Sequence, residues 1–65
     1  MTALYIYNSD TMSLIVKIVG ESNAVCEHKA ADLGYDDTDN YGWTYSPAFG
    51  FSDGLVNADV EVIHV

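Results

Sequence analysis

Only one cysteine, Cys26, occurs in this 65-residue chain, so the fold cannot be held by an internal disulfide bond. One thiol also cannot form a zinc cluster by itself. A chain of this length lies near the lower limit for folding without such cross-links. The fold must therefore rest on one small hydrophobic core, which 49% hydrophobic residues can supply. We expect a single domain over residues 1–65.

The first part of the chain predicts a β-hairpin. Ala3–Tyr7 is rich in aromatic and β-branched residues, which favour strands. Ser13–Val19 alternates in polarity, and we expect Leu14, Val16 and Ile18 to share one face. The polar turn between the two runs is short, which indicates an antiparallel pair.

The middle of the chain predicts one short helix over Asn23–Leu33. Ser22 or Asn23 is suited to cap its start, and Gly34 stands where a helix-terminating glycine is common. The narrow apolar stripe of this helix consists of Cys26, Ala30 and Leu33. Small residues let a helix lie close to a sheet, and a helix this short depends on such packing.

Two further strands complete the predicted fold. Tyr41–Tyr45 has the composition of a strand weakened by Gly42, and Asp59–Val65 alternates in polarity. The element order is then ββαββ. We predict an α+β fold in which one helix packs on an antiparallel sheet of three or four strands.

Charge is the strongest functional signal in the sequence. Ten acidic residues face only two lysines, Lys17 and Lys29, and the formal net charge is −8. Such a charge disfavours direct contact with nucleic acid or with acidic lipid, so neither nucleic acid nor a membrane is an expected partner. It favours a basic protein, including one whose own ligand is nucleic acid.

The acidic residues are densest between Gly34 and Tyr45, where three aspartates fall within four residues and large aromatic residues surround them. Crowded like charges gain nothing within a fold unless solvent, a metal or a partner takes them up. Aromatic side chains offer large areas that can anchor a segment to a partner. The predicted partner-binding residues are Glu27, Asp32, Tyr35, Asp36, Asp37, Asp39, Tyr41 and Asp53.

Two other interpretations of this stretch stay open. The aromatic residues could be core, with the aspartates forming only a solvated turn. A calcium loop of the EF-hand type fails, because aligning Asp37 and Asp39 to its first two ligands places Tyr41 at the next ligand position and Ala48 at the bidentate glutamate position. A looser calcium site formed by Asp36 and the other two aspartates remains an alternative, although no metal or cofactor is expected.

Catalysis is not expected. His28 and His64 lack metal-like spacing, and we expect His28 to be solvated. Cys26 lies on the apolar stripe of the helix, where a buried, inert thiol is more common than a nucleophile. Motifs for nucleotide binding or for a nucleophilic serine do not occur.

The chain as a whole, through ALYIYNSDTMSLIVKIVGES, EHKAADLGYDDTDNYGWTYSPAFG and VEVIHV, resembles the small acidic anti-CRISPR proteins of phages and mobile elements. It is most similar to inhibitors of type I-C CRISPR-Cas systems. The resemblance implies binding to the Cascade surveillance complex and obstruction of its target-DNA site by a DNA-mimicking acidic surface. It implies no active-site residues.

The sequence and the resemblance together predict two alternative classes of function. The first is an inhibitory binding module that mimics nucleic acid and acts as a monomer on a Cascade subunit. The second is a phage structural or assembly module that oligomerises through a sheet edge. Residues 1–7 lack a basic start and a long apolar region, so we expect the cytoplasm of a host bacterial cell as the location.

Overall fold

The structure is a computed structural model that describes residues 1–35, 40–46 and 60–65. Its elements are β1 (Thr2–Asn8), β2 (Ser13–Gly20), α1 (Asn23–Asp32), β3 (Tyr41–Thr44) and β4 (Glu61–His64). The four strands form one sheet in the order β3-β1-β2-β4, and α1 packs across the two central strands. The predicted α+β class and ββαββ order are confirmed.

Strand direction differs from the prediction in one place. β1 is antiparallel to both β2 and β3, as expected, but β4 runs parallel to β2. The sheet is therefore mixed. The alternation of side chains along a strand has the same period in both kinds of pairing, so the sequence pattern that located β4 carried no information about its direction.

The core lies between the helix and the two central strands. Its buried members are Leu4, Ile6, Val16, Ile18, Cys26 and Ala30. The two helical members are small and have no exposed surface, which lets α1 approach the sheet closely. The buried position predicted for the Cys26 thiol is confirmed, and its Sγ lies 3.6 Å from the carbonyl oxygen of Ile18.

A β-bulge interrupts the hairpin and changes which side chains face the core. Val16 lies opposite Ile6 in the ladder. The next pair joins Leu14 to Tyr7, so Ile15 is an extra residue that has no paired residue in β1. This residue shifts the alternation by one, and Leu14 packs in a second cluster with Tyr5. The prediction that Leu14 shares a face with Val16 and Ile18 is therefore wrong.

Both ends of α1 carry the predicted caps. Ser22 is the N-cap, and its hydroxyl accepts a hydrogen bond from the backbone N–H of Val25 at 3.4 Å. Gly34 follows the helix with φ 87°, a conformation that favours glycine. The helix is shorter than predicted, however. Leu33 is the C-cap residue and is 40% exposed, so its predicted place on the buried stripe is wrong.

Candidate protein-binding surface

The burial of one face of α1 leaves two flanks of different chemistry. The β3 flank comprises Glu27, Tyr35, Tyr41, Trp43 and Tyr45. The β4 flank comprises Ala24, Val25, His28, Lys29 and Val65. The first borders the edge of the sheet formed by β3 and the second borders the edge formed by β4.

The β3 flank is built on the C-terminus of the helix. The N–H of Tyr35 donates to the carbonyl of Ala30 at 2.9 Å, and the N–H of Gly34 donates to the carbonyl of Ala31 at 3.0 Å. These two bonds form a Schellman motif, which turns the chain back over the end of the helix. The carbonyl of Tyr35 then accepts a hydrogen bond of 2.6 Å from Nε1 of Trp43. One cap glycine thus sets the position of the first aromatic residue against β3.

Three of the aromatic side chains are half-buried. Tyr35, Tyr41 and Trp43 pack against the core, and the rings of the two tyrosines meet edge to face, with centroids 5.3 Å apart and an interplanar angle of 81°. These rings therefore contribute to the core, as the alternative interpretation proposed, while part of each remains accessible. Tyr45 differs from them, since it is 37% exposed.

Gly42 explains how β3 can lie so close to β1. Gly42 pairs with Tyr7 in the ladder and is itself buried. A Cβ atom at position 42 would overlap the ring of Tyr7. The glycine that weakened the strand prediction is thus required by a tyrosine ring lying across it, an arrangement known to stabilise glycines in strands.

The end of β3 is joined to the helix through Tyr45. Its hydroxyl donates a hydrogen bond to Oε2 of Glu27, and the carbonyl oxygen of Asn23 lies 3.5 Å from the same hydroxyl. Partial desolvation of the hydroxyl, together with this carboxylate, raises the pKa of Tyr45 well above its usual value. The hydroxyl therefore stays protonated and remains a hydrogen-bond donor at every physiological pH.

Most of the described carboxylates have no cationic partner. The acidic residues within the described ranges are Asp10, Glu21, Glu27, Asp32 and Glu61. All are exposed except Glu27, which is half-buried. The one ion pair among described residues joins Lys29 to Asp32 at 4.0 Å, a long contact at the surface. The other lysine, Lys17, lies over the ring of Tyr5 at 5.6 Å and so is engaged elsewhere.

Asp32 occupies a position that is unfavourable within the protein. It is the last residue of α1, and the helix dipole disfavours a negative charge at that end. The first turn, where a carboxylate would be stabilised, holds no acidic residue. Glu27 and Asp32 also lie about 140° apart around the helix axis, because five residues separate them.

The predicted site residues fall into three groups. Tyr35 and Tyr41 are in ring contact, and Glu27 lies on the same flank. Asp32 lies on another side of the helix. The remaining four, Asp36, Asp37, Asp39 and Asp53, lie outside the described residues. Tyr45 was not among the predicted site residues, because its partner Glu27 is 18 positions away and no local pattern links the two.

The β4 flank is mainly apolar. Its five residues line a shallow depression of about 440 Å³. The backbone N–H of Val65 donates to the carbonyl of Val19 at 2.8 Å, which extends the pairing of β4 by one residue. The absence of a side chain at Gly20 lets Val65 approach, since a Cβ there would lie 3.0 Å from Cγ2 of the valine.

Within residues 1–35, 40–46 and 60–65, no three His, Cys, Asp or Glu side chains are placed to share a metal ion. Across those same ranges, the helix α1 is not long and apolar enough to cross a bilayer. Comparison of the chain with protein-family models, curated proteins and solved structures finds no match.

Proposed function

We propose that this protein inhibits a CRISPR-Cas surveillance complex by binding it through an acidic, DNA-mimicking surface and so blocking target DNA. One observation carries the proposal. The formal net charge is −8, and each lysine is already in contact with a residue of the same chain, so the excess charge has no internal counterpart. A basic partner would supply that counterpart.

The position of Asp32 supports an intermolecular role for the acidic residues. A carboxylate at a helix C-terminus costs the fold about 0.3–1 kcal/mol at an exposed site. The aspartates at positions 36, 37 and 39 follow the same helix end in sequence. An accumulation that opposes folding is better explained by what it contributes to binding.

The aromatic residues supply what charge alone lacks. Charge complementarity speeds association and gives specificity, whereas buried aromatic area contributes most of the affinity at protein interfaces. On the β3 flank, the exposed Tyr45 bonds to Glu27, and the helix cap places Tyr35 directly before Asp36 in sequence. This arrangement suits a groove in which a protein holds the phosphate backbone of nucleic acid with arginine and lysine. No chemical step is required, because occupation of the groove is sufficient.

The resemblance described above narrows the partner to a subunit of type I-C Cascade. The protein would act in the cytoplasm of the bacterial host, where the surveillance complex meets its target DNA. It would bind as a monomer, since strong self-repulsion opposes association of two acidic copies.

Binding to purified type I-C Cascade, followed by target-DNA binding with and without the protein, tests the proposal. We expect saturable binding that prevents DNA binding and that weakens steeply with added salt, because both interactions use the same basic surface. Binding that leaves DNA binding intact, or inhibition that is insensitive to salt, would contradict a mimic. A matched acidic protein of similar size serves as the control for nonspecific charge effects.

An assembly module that oligomerises through a sheet edge is the second candidate. Val62 and Val65, in or next to the edge strand β4, are 45% and 46% exposed. Exposed edges can pair with other strands, although a strand of four residues offers few backbone groups. Sedimentation over a wide concentration range distinguishes the two candidates. A stable dimer or larger species at micromolar concentration would favour assembly, and a monomer throughout would favour the inhibitor.

A further inference from the structure

The surroundings of the Tyr45 hydroxyl are dominated by hydrogen-bond acceptors. The hydroxyl has one proton, which it donates to Glu27. The carboxylate keeps its other lone pairs, and the carbonyl oxygen of Asn23 lies 3.5 Å from the hydroxyl. None of the described lysine or histidine side chains lies within 4.0 Å of Glu27 to use these acceptors. The group that best suits the acceptors around the Tyr45 hydroxyl is therefore one that only donates hydrogen bonds.

The guanidinium group of arginine is such a complement. It carries five N–H donors in a planar fork and no acceptor, and it stacks on aromatic rings. Tyr45, a residue that is 37% exposed, provides a ring directly beside the carboxylate. A lysine ammonium can also meet a carboxylate, but it is a point charge that gains less from a flat ring and from two acceptors set side by side.

We propose that Glu27, Tyr45 and the carbonyl of Asn23 form a subsite for one arginine side chain of the partner. This inference rests on the proposed function for its biological context. It adds the kind of partner side chain that the β3 flank receives. The hydrogen bond from Tyr45 holds the carboxylate in place before the partner arrives, which reduces the entropy lost on binding. The guanidinium then bonds the free lone pairs of Glu27 and lies against the Tyr45 ring.

Titration of the protein alone with N-acetyl-arginine amide, followed by nuclear magnetic resonance, tests this subsite. We expect saturable shifts of the Tyr45 ring and Glu27 side-chain resonances. N-acetyl-lysine amide should bind at least about threefold more weakly, because it cannot stack and bond in the same geometry. Glu27→Gln should weaken the arginine probe by about tenfold, since a charge-assisted hydrogen bond is lost.

Asp32→Asn is the matched control, because it removes one carboxylate of the same helix on a different side. It should change the affinity for the arginine probe by less than about twofold. Glutamine at position 27 can still accept from Tyr45, so the fold is retained in the test variant. Tyr45→Leu, which removes the ring, should reduce the preference for arginine over lysine.

Equal binding of the two probes, or equal losses for the two charge variants, would overturn the subsite in favour of diffuse attraction. Because the titration uses no effector, it fails or succeeds independently of the inhibitor proposal. A failed titration combined with full blockade of Cascade would reject the arginine subsite and leave the inhibitor in place. Saturable arginine binding without any effect on Cascade would support the subsite and reject Cascade as the partner.

Discussion

The two flanks of α1 share one helix and one core, yet they offer opposite surfaces. On the β3 flank, three rings pack against the core, and Tyr45 bonds to a carboxylate that has no described cation within ion-pair distance. On the β4 flank, two valines border a shallow depression, and the lysine beside them is paired with Asp32. The difference shows that the two sides of one helix can differ in charge within a strongly acidic protein. A ten-residue helix thus separates a flank of aromatic rings with one carboxylate from a flank of aliphatic residues with one lysine and one histidine.

The largest expected effect comes from reversing charge in the acidic stretch that lies between Tyr35 and Tyr41 in the sequence. Asp36→Lys, Asp37→Lys and Asp39→Lys together should weaken binding to the effector by at least about a hundredfold, since close charge pairs at interfaces are each worth about 1.5 kcal/mol or more. Isothermal titration against purified Cascade measures the loss. Full inhibition by a folded triple variant would remove this stretch from the interface. The candidate binding surface would then consist of Glu27 and the aromatic rings of the β3 flank alone.

A second prediction concerns stability and separates the flanks structurally. Gly42→Ala places a Cβ where the ring of Tyr7 now lies, so β3 or the ring must shift. We expect a loss of about 1–3 kcal/mol in the free energy of unfolding, as for overpacked sites. Chemical denaturation measures it, and the resonances of Trp43 should move while those of Val65 stay in place.

Gly20→Ala is the control on the side of β4. The nearest atom to its new Cβ would be Cγ2 of the exposed Val65 at 3.0 Å, followed by Sγ of Cys26 and Cγ1 of Val25 at 3.2 Å, and none of these contacts is as close as the overlap at position 42. The loss should therefore be smaller than for Gly42→Ala. Similar losses for both variants, or loss of the Val65 resonance pattern in Gly42→Ala, would show that the flanks respond as one unit.

Much of this architecture was predictable because it follows from local chemistry. The strands of the hairpin, the Ser22 cap and the Gly34 terminator depend on residues close in sequence, and all three are confirmed. Features that depend on pairing between distant segments were not predictable. The bulge at Ile15 arises from the ladder with β1, and the direction of β4 arises from the path of the chain rather than from its alternation.

The candidate site follows the same rule. Sequence composition predicted an acidic and aromatic binding surface and included Glu27 and Tyr41 in it. It gave no reason to join Glu27 to Tyr45, because a contact across 18 residues is made by the fold. Sequence patterns report periodicity and caps, whereas a side-chain pair between a helix and a strand end is determined by packing distance.

A third prediction uses pH to test the link between β3 and the helix. The raised pKa of Tyr45 means that the folded protein holds this proton more tightly than the unfolded chain does. The stability it contributes is therefore fully present below the ordinary tyrosine pKa of 10.0 and is lost as pH rises through the folded-state pKa. Tyrosinate absorbance should show one tyrosine that ionises later than the others.

Tyr45→Phe should remove that late step and flatten the fall in stability at alkaline pH. At neutral pH the same variant should cost about 0.5 kcal/mol, since a partly exposed hydrogen bond contributes little. Thermal unfolding at several pH values measures both effects. An unchanged alkaline slope in Tyr45→Phe would mean that another group is responsible and that the hydroxyl does not connect β3 to α1.

The smallest effect is expected on the β4 flank. Val25→Ser removes exposed apolar area from the depression without changing charge, and Val25 is already 39% exposed. If the partner contacts only the β3 flank and the acidic stretch, effector affinity should change by less than about twofold, as for residues outside an interface. Sedimentation of the same variant reports on assembly, where this flank would matter. A tenfold loss of affinity for Cascade would mean that the binding surface extends across α1 to the β4 flank. The two flanks would then be parts of one interface in which rings and carboxylates meet the basic groove and the valines exclude water at its margin.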